Sequence, residues 1–239
     1  MNTQLGRGGW SATRTADRAV VDQALRSYML RVYNLMASGL LLSGIVGAVI
    51  AMSPEVQQVV FQPGLVWLFI LAPIGLLFAM SFGINKWSSG TLQIMYWVMV
   101  AAFGVSLSTI FLAYTAESVV RVFFITAATF GAMSLYGYTT KRDLSGWGSF
   151  LFMGLIGILI ASVVNIFIGS SMMQFVISVI GVLVFTGLTA YDTQRIKSDF
   201  YEGDAREITS KKAIMGAVSL YLNFLNLFML LMHLLGNRN

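Results

Sequence analysis

Trp147–Ile168, WGSFLFMGLIGILIASVVNIFI, contains no Asp, Glu, Lys or Arg. As a helix rising about 1.5 Å per residue it is about 33 Å long, enough to cross a hydrocarbon core of about 30 Å. Its apolar residues run continuously and do not alternate with polar ones, which excludes a barrel strand. With no water in lipid to satisfy backbone N–H and C=O groups, the segment must be a helix. Working outward, six further runs have the same character: Val32–Ala51, Gly64–Ile84, Leu92–Ala113 and Val119–Tyr138 before it, Met172–Tyr191 and Ala213–Leu235 after it. Short polar breaks such as Ser53-Pro54-Glu55 separate them. The chain therefore reads as an all-α integral membrane protein of about seven transmembrane helices. The last run is interrupted by Asn223 and Asn226, so it is either a full span or a re-entrant hairpin.

The composition agrees. Of 239 residues, 57% are hydrophobic and 10% charged, and the mean hydropathy is +0.77, far from the balance of a soluble domain. The absence of cysteine excludes disulfides, thiolate metal sites, iron–sulfur clusters and a cysteine nucleophile. A single histidine, His233, gives no imidazole cluster and lacks a partner near it in sequence, so it reads as an interfacial helix-end residue. An intramembrane aspartyl protease needs a second carboxylate in the spans, and a serine hydrolase needs a base beside its serine; neither pattern is present, and no enzyme is expected.

The net charge of +5 is a topology signal and not a sign of nucleic-acid binding. With the N-terminus in the cytoplasm, thirteen of the fifteen basic residues fall on that side: Arg7, Arg14, Arg18, Arg26, Arg31, Lys86, Lys141, Arg142, Arg195, Lys197, Arg206, Lys211 and Lys212. Arg121 and Arg238 remain outside. Residues 1–30 form a basic cytoplasmic tail without a signal-peptide core, and Ala19–Tyr33 carries apolar residues at near-helical spacing, predicting an amphipathic surface helix with Asp17 as its N-cap. Residues 31–236 form the seven-span membrane domain. Within it, residues 192–212 form a charged cytoplasmic loop. In the first span Gly39, Ser43 and Gly47 are spaced to let a neighbouring helix approach closely.

Polar groups at membrane depth are expensive, and those that persist are candidates for function. Asp192 directly follows Tyr191 at the end of the sixth run. Ser219, Asn223 and Asn226 share one face of the last, with Gly216 a turn earlier. They serve either as hydrogen-bonding glue between helices or as the lining of a hydrated path, where amide and hydroxyl oxygens replace part of a cation's water shell. Asn165, Ser106, Ser108 and Thr109 read as local donors to helix carbonyls. Asp192 is either an interfacial carboxylate near Arg195, one turn away, or an acid tucked into the mouth of the bundle. No loop gathers the oxygen ligands of a high-affinity calcium site, and no cofactor is expected.

Gly187-Leu188-Thr189-Ala190-Tyr191-Asp192-Thr193-Gln194-Arg195-Ile196-Lys197 resembles the signature after the sixth span of the transmembrane Bax inhibitor motif (Bax inhibitor-one-like) family. Ser219-Leu220-Tyr221-Leu222-Asn223-Phe224-Leu225-Asn226-Leu227-Phe228 is similar to that family's last span, and Lys141-Arg142-Asp143-Leu144-Ser145 to the link between its fourth and fifth. The basic tail looks like that of bacterial members. The resemblance implies outer spans surrounding a central last helix, location in the bacterial inner membrane, and a pH-modulated cation leak, chiefly of calcium bound only transiently. It further implies a gate of two aspartates sharing a proton. Asp192 matches the first; the second falls on Asn223, which lacks the like-charge repulsion that drives one carboxyl upward, so a weakened pH response is expected and Asp192 accepts a hydrogen bond from the amide. The implied path is Asp192, Asn223, Ser219 and Asn226. A basic residue that pairs with the acid in some relatives is missing from the second span; Lys86, in the following loop, is the nearest candidate for that auxiliary role, with Arg195 the other basic neighbour. The rival implication is a non-conducting regulator of a membrane protease complex or other membrane proteins, docking through its tail and lipid-exposed faces.

Overall fold

The computed structural model describes residues 8–239, with side chains from Val20 onward. Eight helices follow one another: α1 Gly8–Met52, α2 Pro54–Val60, α3 Leu65–Gly83, α4 Ser89–Ala113, α5 Ala116–Thr139, α6 Ser145–Ile168, α7 Ser171–Ser198 and α8 Arg206–Leu235. Among the described residues seven of them, all but α2, are long and apolar enough to cross a membrane.

α8 is the central helix, as the resemblance implies. It packs against α1, α4, α5 and α7, whereas α3 leans on α4 and α6 on α7. Burial follows this order, with 67% of the most apolar stretch of α8 inside the bundle against 17% for α6 and 11% for α3. Exposed Phe78, Phe82, Phe150 and Phe167 on those outer helices need no protein partner, because hydrocarbon is as apolar as they are.

Four expectations about the ends of the spans change. The surface helix expected over Ala19–Tyr33 is not a separate element, and Asp17 lies inside α1 and not at a cap. Between Ala16 and Ser38 there is neither glycine nor proline to interrupt the helix, and its inner residues Tyr28, Met29 and Val32 are buried in the core. The Tyr28 ring packs on Phe200 at 5.3 Å between centroids. Second, the Ser53-Pro54-Glu55 break opens a short helix, α2, with Pro54 in its first turn, where a missing N–H costs nothing. The Gln57 amide then donates to the Ile50 and Ala51 carbonyls at 3.1 and 2.9 Å, closing the end of α1.

Third, the charged loop of residues 192–212 shrinks to 199–205. α7 continues to Ser198 because nothing in Asp192–Ser198 breaks a helix and Thr193 and Ile196 pack inward, buried. The short loop is pinned by Lys212, whose ammonium donates to the Asp204 carboxylate at 2.6 Å and to the Asp199 carbonyl at 2.7 Å. Fourth, α8 is unbroken through Asn223 and Asn226, about 45 Å long, so the re-entrant alternative falls away. Asn226 donates to the Leu222 carbonyl of its own helix at 2.8 Å, which satisfies the amide without bending the chain. The tail beyond α8 docks on the α4–α5 junction, where Thr115 N–H donates to the Asn237 carbonyl at 3.0 Å.

Gly39, Ser43 and Gly47 do admit a neighbour, and it is α4. A Cβ on Gly47 would lie 3.0 Å from the Gly104 carbonyl oxygen, and one on Gly104 would lie 2.8 Å from the Ser43 carbonyl oxygen. The Ser43 hydroxyl donates to the Val100 carbonyl at 2.6 Å. Its one proton being spent there, it accepts from the Tyr221 hydroxyl, also at 2.6 Å. Tyr221→Phe should therefore cost about 1 kcal/mol of stability, the typical worth of one hydrogen bond, read as a lower unfolding midpoint in detergent.

Candidate functional site

At the end of the bundle that carries the α7–α8 loop, α7 presents Asp192 and α8 presents Ser219 and Asn223, one turn apart on one face. Gly216 lets the two helices come together there: a Cβ at that position would lie 3.1 Å from the Ile196 side chain. Asp192 is 6% exposed and so is Asn223. The carboxylate is fully engaged. Oδ2 accepts from Ser219 Oγ at 2.8 Å and from Asn223 Nδ2 at 2.8 Å, while Oδ1 pairs with Arg195 Nη2 at 2.9 Å. The same guanidinium nitrogen reaches Ser219 Oγ at 3.2 Å, so Arg195, Ser219 and Asp192 close a small ring. The Arg195 side chain is 47% exposed and lies over the Tyr191 ring at 5.8 Å.

Electrostatically, this is a buried anion whose counter-charge sits at the water boundary. Burying a carboxylate alone costs several kcal/mol; hydrogen bonds and an adjacent cation offset that cost. The guanidinium is half-exposed, so water screens its charge in part, while the carboxylate it neutralises has no such shielding. Chemically, the arrangement presents the carboxylate's one negative charge and two neutral side-chain oxygens, from Ser219 and Asn223, to anything that displaces Arg195.

The structure thus brings Asp192, Ser219, Asn223 and Arg195 together. It leaves out two expected members. Asn226 is turned to its own helix, and Lys86, in the turn between α3 and α4, makes no ion pair among those of the described residues. Ser108 and Thr109 bond to carbonyls of their own helix at 2.6 and 2.8 Å, as their sequence context suggests. Asn165 instead joins Gln174 of α7 at 3.3 Å and the Ser170 N–H at 3.1 Å. His233 sits in the last turn of α8.

Sequence reasoning missed a chain of hydroxyls beside the carboxylate. Tyr33 of α1 meets Ser134 of α5 at 2.6 Å, and Ser134 meets Thr193 of α7, next to Asp192, at 3.0 Å. Single hydroxyls on three helices carry no shared spacing, so no pattern in the sequence announces them. Segments 187–197 and 141–145, in contrast, do touch. The Gln194 side chain donates to the Arg142 carbonyl and accepts from the Leu144 N–H, both at 2.8 Å. Nearby, hydrogen bonds from Ser145 hold the exposed Asp143 carboxyl below its ordinary range, with the Ser145 N–H at 2.9 Å.

Known proteins resemble the chain over most of its length. The family model described as "Inhibitor of apoptosis-promoting Bax1" matches residues 25–239. An uncharacterized protein of Rickettsia prowazekii is 47% identical over 194 residues, covering 81% of this chain and 82% of its own length. The inner membrane protein YbhL of Escherichia coli K12 is 48% identical over 171 residues, 71% of this chain and 73% of its own. A Borreliella burgdorferi protein is 45% identical over 200 residues, covering 81% and 86%. With six membrane-length helices around a seventh, buried one, and segments 187–197 and 219–228 meeting at Asp192, the chain belongs to the Bax inhibitor-1-like family of membrane proteins.

Proposed function

We propose that the protein is a cation leak, with calcium the principal ion, in which Asp192 attracts the ion and Arg195 latches the site shut. The observation that carries this reading is the carboxylate shared between α7 and the central helix. It is buried, held from α8 by Ser219 and Asn223, and closed by a half-exposed guanidinium. An arriving cation competes with Arg195 for Oδ1 and takes Ser219 and Asn223 oxygens in place of water. Past the site the inward face of α8 is Phe224, Leu227, Phe228 and Leu231, all buried, so the arrangement is a closed one and passage requires α8 to separate from its neighbours. The reading involves no catalysis and no resident cofactor; calcium is in transit. With Asn223 opposite Asp192 there is no second carboxylate to share a proton, and the leak responds weakly to pH.

The YbhL name supports placement in the bacterial inner membrane. The ends of the helices support a cytoplasmic N-terminus: Arg26, Lys86, Lys141, Arg142 and Arg206 cluster at the Asp192 end, Arg121 and Arg238 at the other.

One observation favours a second reading, the non-conducting regulator of a membrane protease or other membrane protein. Both Asp192 oxygens are filled from within the chain, and apolar side chains plug α8 beyond them. Calcium flux into proteoliposomes of the purified chain separates the two. The leak reading expects flux above empty vesicles. Asp192→Ala should drop it toward the empty level, while Arg195→Gln, by removing the group that competes with the ion for Oδ1, should raise it about fivefold, the effect of about 1 kcal/mol. If neither wild type nor Arg195→Gln conducts, the regulator reading stands. Removal of residues 1–18 then becomes the next experiment, since a regulator docking through its tail loses partner binding and a leak loses nothing.

A further inference from the structure

α1 and α5 both pack on α8 and pack little on each other, meeting through Tyr33 and Ser134 at 2.6 Å. Between them lies an open-sided groove of about 1290 Å³ whose floor is the central helix at Phe224, Leu225 and Phe228. Its walls are hollowed by glycine. A Cβ placed on Gly44 of α1 or Gly131 of α5 meets no atom within 4 Å, unlike Gly104, where backbone stands in the way.

Polarity in the groove runs one way. Arg26 stands at the mouth, at the cationic end of the bundle, and makes no ion pair among those of the described residues. Tyr138 lines the same end, with the Lys197 ammonium 4.8 Å from its ring centroid. Seven residues along α1, about 10 Å deeper, the Tyr33 and Ser134 hydroxyls face each other at 2.6 Å. From Met36 to Ala48 the α1 wall is apolar apart from its backbone, and the far end is closed by Leu107, Phe111, Val119 and Val120 without a charge or hydroxyl.

We propose that this groove is a binding site for an anionic phospholipid of the leaflet at the Arg26 end, with its phosphate on Arg26, its ester groups beside Tyr33 and Ser134, and one acyl chain laid along α8. The order cation, hydroxyl, hydrocarbon is that of a phospholipid read from headgroup to tail, over the depth at which the interface gives way to the hydrocarbon core. A transmembrane helix from a second copy would span both interfaces, and nothing at the far end of the groove addresses a second polar terminus. The lipid completes the packing of α8 along the side left open between α1 and α5. The proposal is independent of whether ions pass.

The test is native mass spectrometry of the full chain in detergent, with equal amounts of palmitoyl-oleoyl phosphatidylglycerol and phosphatidylcholine added. Wild type should retain one lipid, chiefly phosphatidylglycerol. Arg26→Gln should retain lipid but lose about fivefold of the headgroup preference, the worth of one basic residue near an anionic surface. Gly131→Phe should lose both lipids, with Gly131→Ala unchanged. Because the added Cβ points into open space, the phenylalanine variant is expected to unfold at the wild-type temperature; if it does not, Gly44→Phe fills the groove from the opposite wall and replaces it. The proposal is overturned by a wild type that retains no lipid, by equal retention in the phenylalanine variants, by a headgroup ratio insensitive to Arg26→Gln, or by a wild-type dimer that Gly131→Phe dissociates.

Discussion

Asn223→Asp should make the folded protein lose stability as pH rises from about 5 to 8, more steeply than wild type, and give any calcium flux a matching pH dependence. In the wild type the amide donates to Asp192 Oδ2 at 2.8 Å inside the bundle. A carboxylate of nearly the same shape has no proton to offer there once ionised, and two like charges at that distance cannot both persist out of water. The pair therefore keeps one shared proton in a range where aspartates of the unfolded chain hold none. The sign follows: where the folded state binds more protons than the unfolded one, stability is present at low pH and is lost as pH rises toward the folded value. Arg195, 2.9 Å from Oδ1, offsets part of the repulsion. Thermal unfolding in detergent across that pH range, for both proteins, is the measurement. Parallel curves would show that the carboxylate is charge-compensated and that the asparagine has no bearing on pH response.

Gly137→Val should destabilise the bundle by about 1–3 kcal/mol or more and disturb the Asp192 site as it does so. A Cβ at Gly137 collides with the backbone of Ala190, its carbonyl oxygen above all. A side chain in the way could rotate; a helix backbone can only move as a body. Since Ala190 is two residues before Asp192, α7 must shift outward from α5, stretching the Ser134–Thr193 contact and pulling the carboxylate from Ser219 and Asn223. Gly131→Ala on the same helix is the internal control, because its Cβ opens onto the lipid groove. That change should be neutral or stabilising by up to about 1 kcal/mol, the difference in helix propensity between the two residues. If the two variants unfold at the same temperature, the close approach of α5 and α7 is not a determinant of this fold.

Much of the architecture is legible from apolar run length alone, since backbone satisfaction in lipid forces each such run into a helix whatever its neighbours do. The spans from Gly64–Ile84 through Trp147–Ile168 fall within a few residues of the observed helices for that reason. What failed was the assignment of charged segments. Arg195, Lys197, Arg206 and Glu207 read as loop, yet they extend α7 and α8 beyond the hydrocarbon, because charge ends a membrane-buried run without ending a helix. The pairing of Asp192 with Asn223 was readable only through the family motif.

Run lengths and charge placement along the chain settle the number of membrane spans, the end of the bundle that gathers positive charge, and the residues expensive enough in lipid to mark a site. These are properties of single segments, set by transfer free energies and hydrogen-bond accounting one helix at a time. Tertiary structure alone decided that Arg195 and not Lys86 neutralises Asp192, that Asn226 turns back on its own helix, that Tyr33, Ser134 and Thr193 form one chain, and that α1 and α5 stand apart over α8. The first two are contacts within one helix whose rotamers its neighbours select, and the last two depend on the rotation and separation of helices distant in sequence. Packing of particular side chains fixes those quantities, and a pattern along one chain does not encode them.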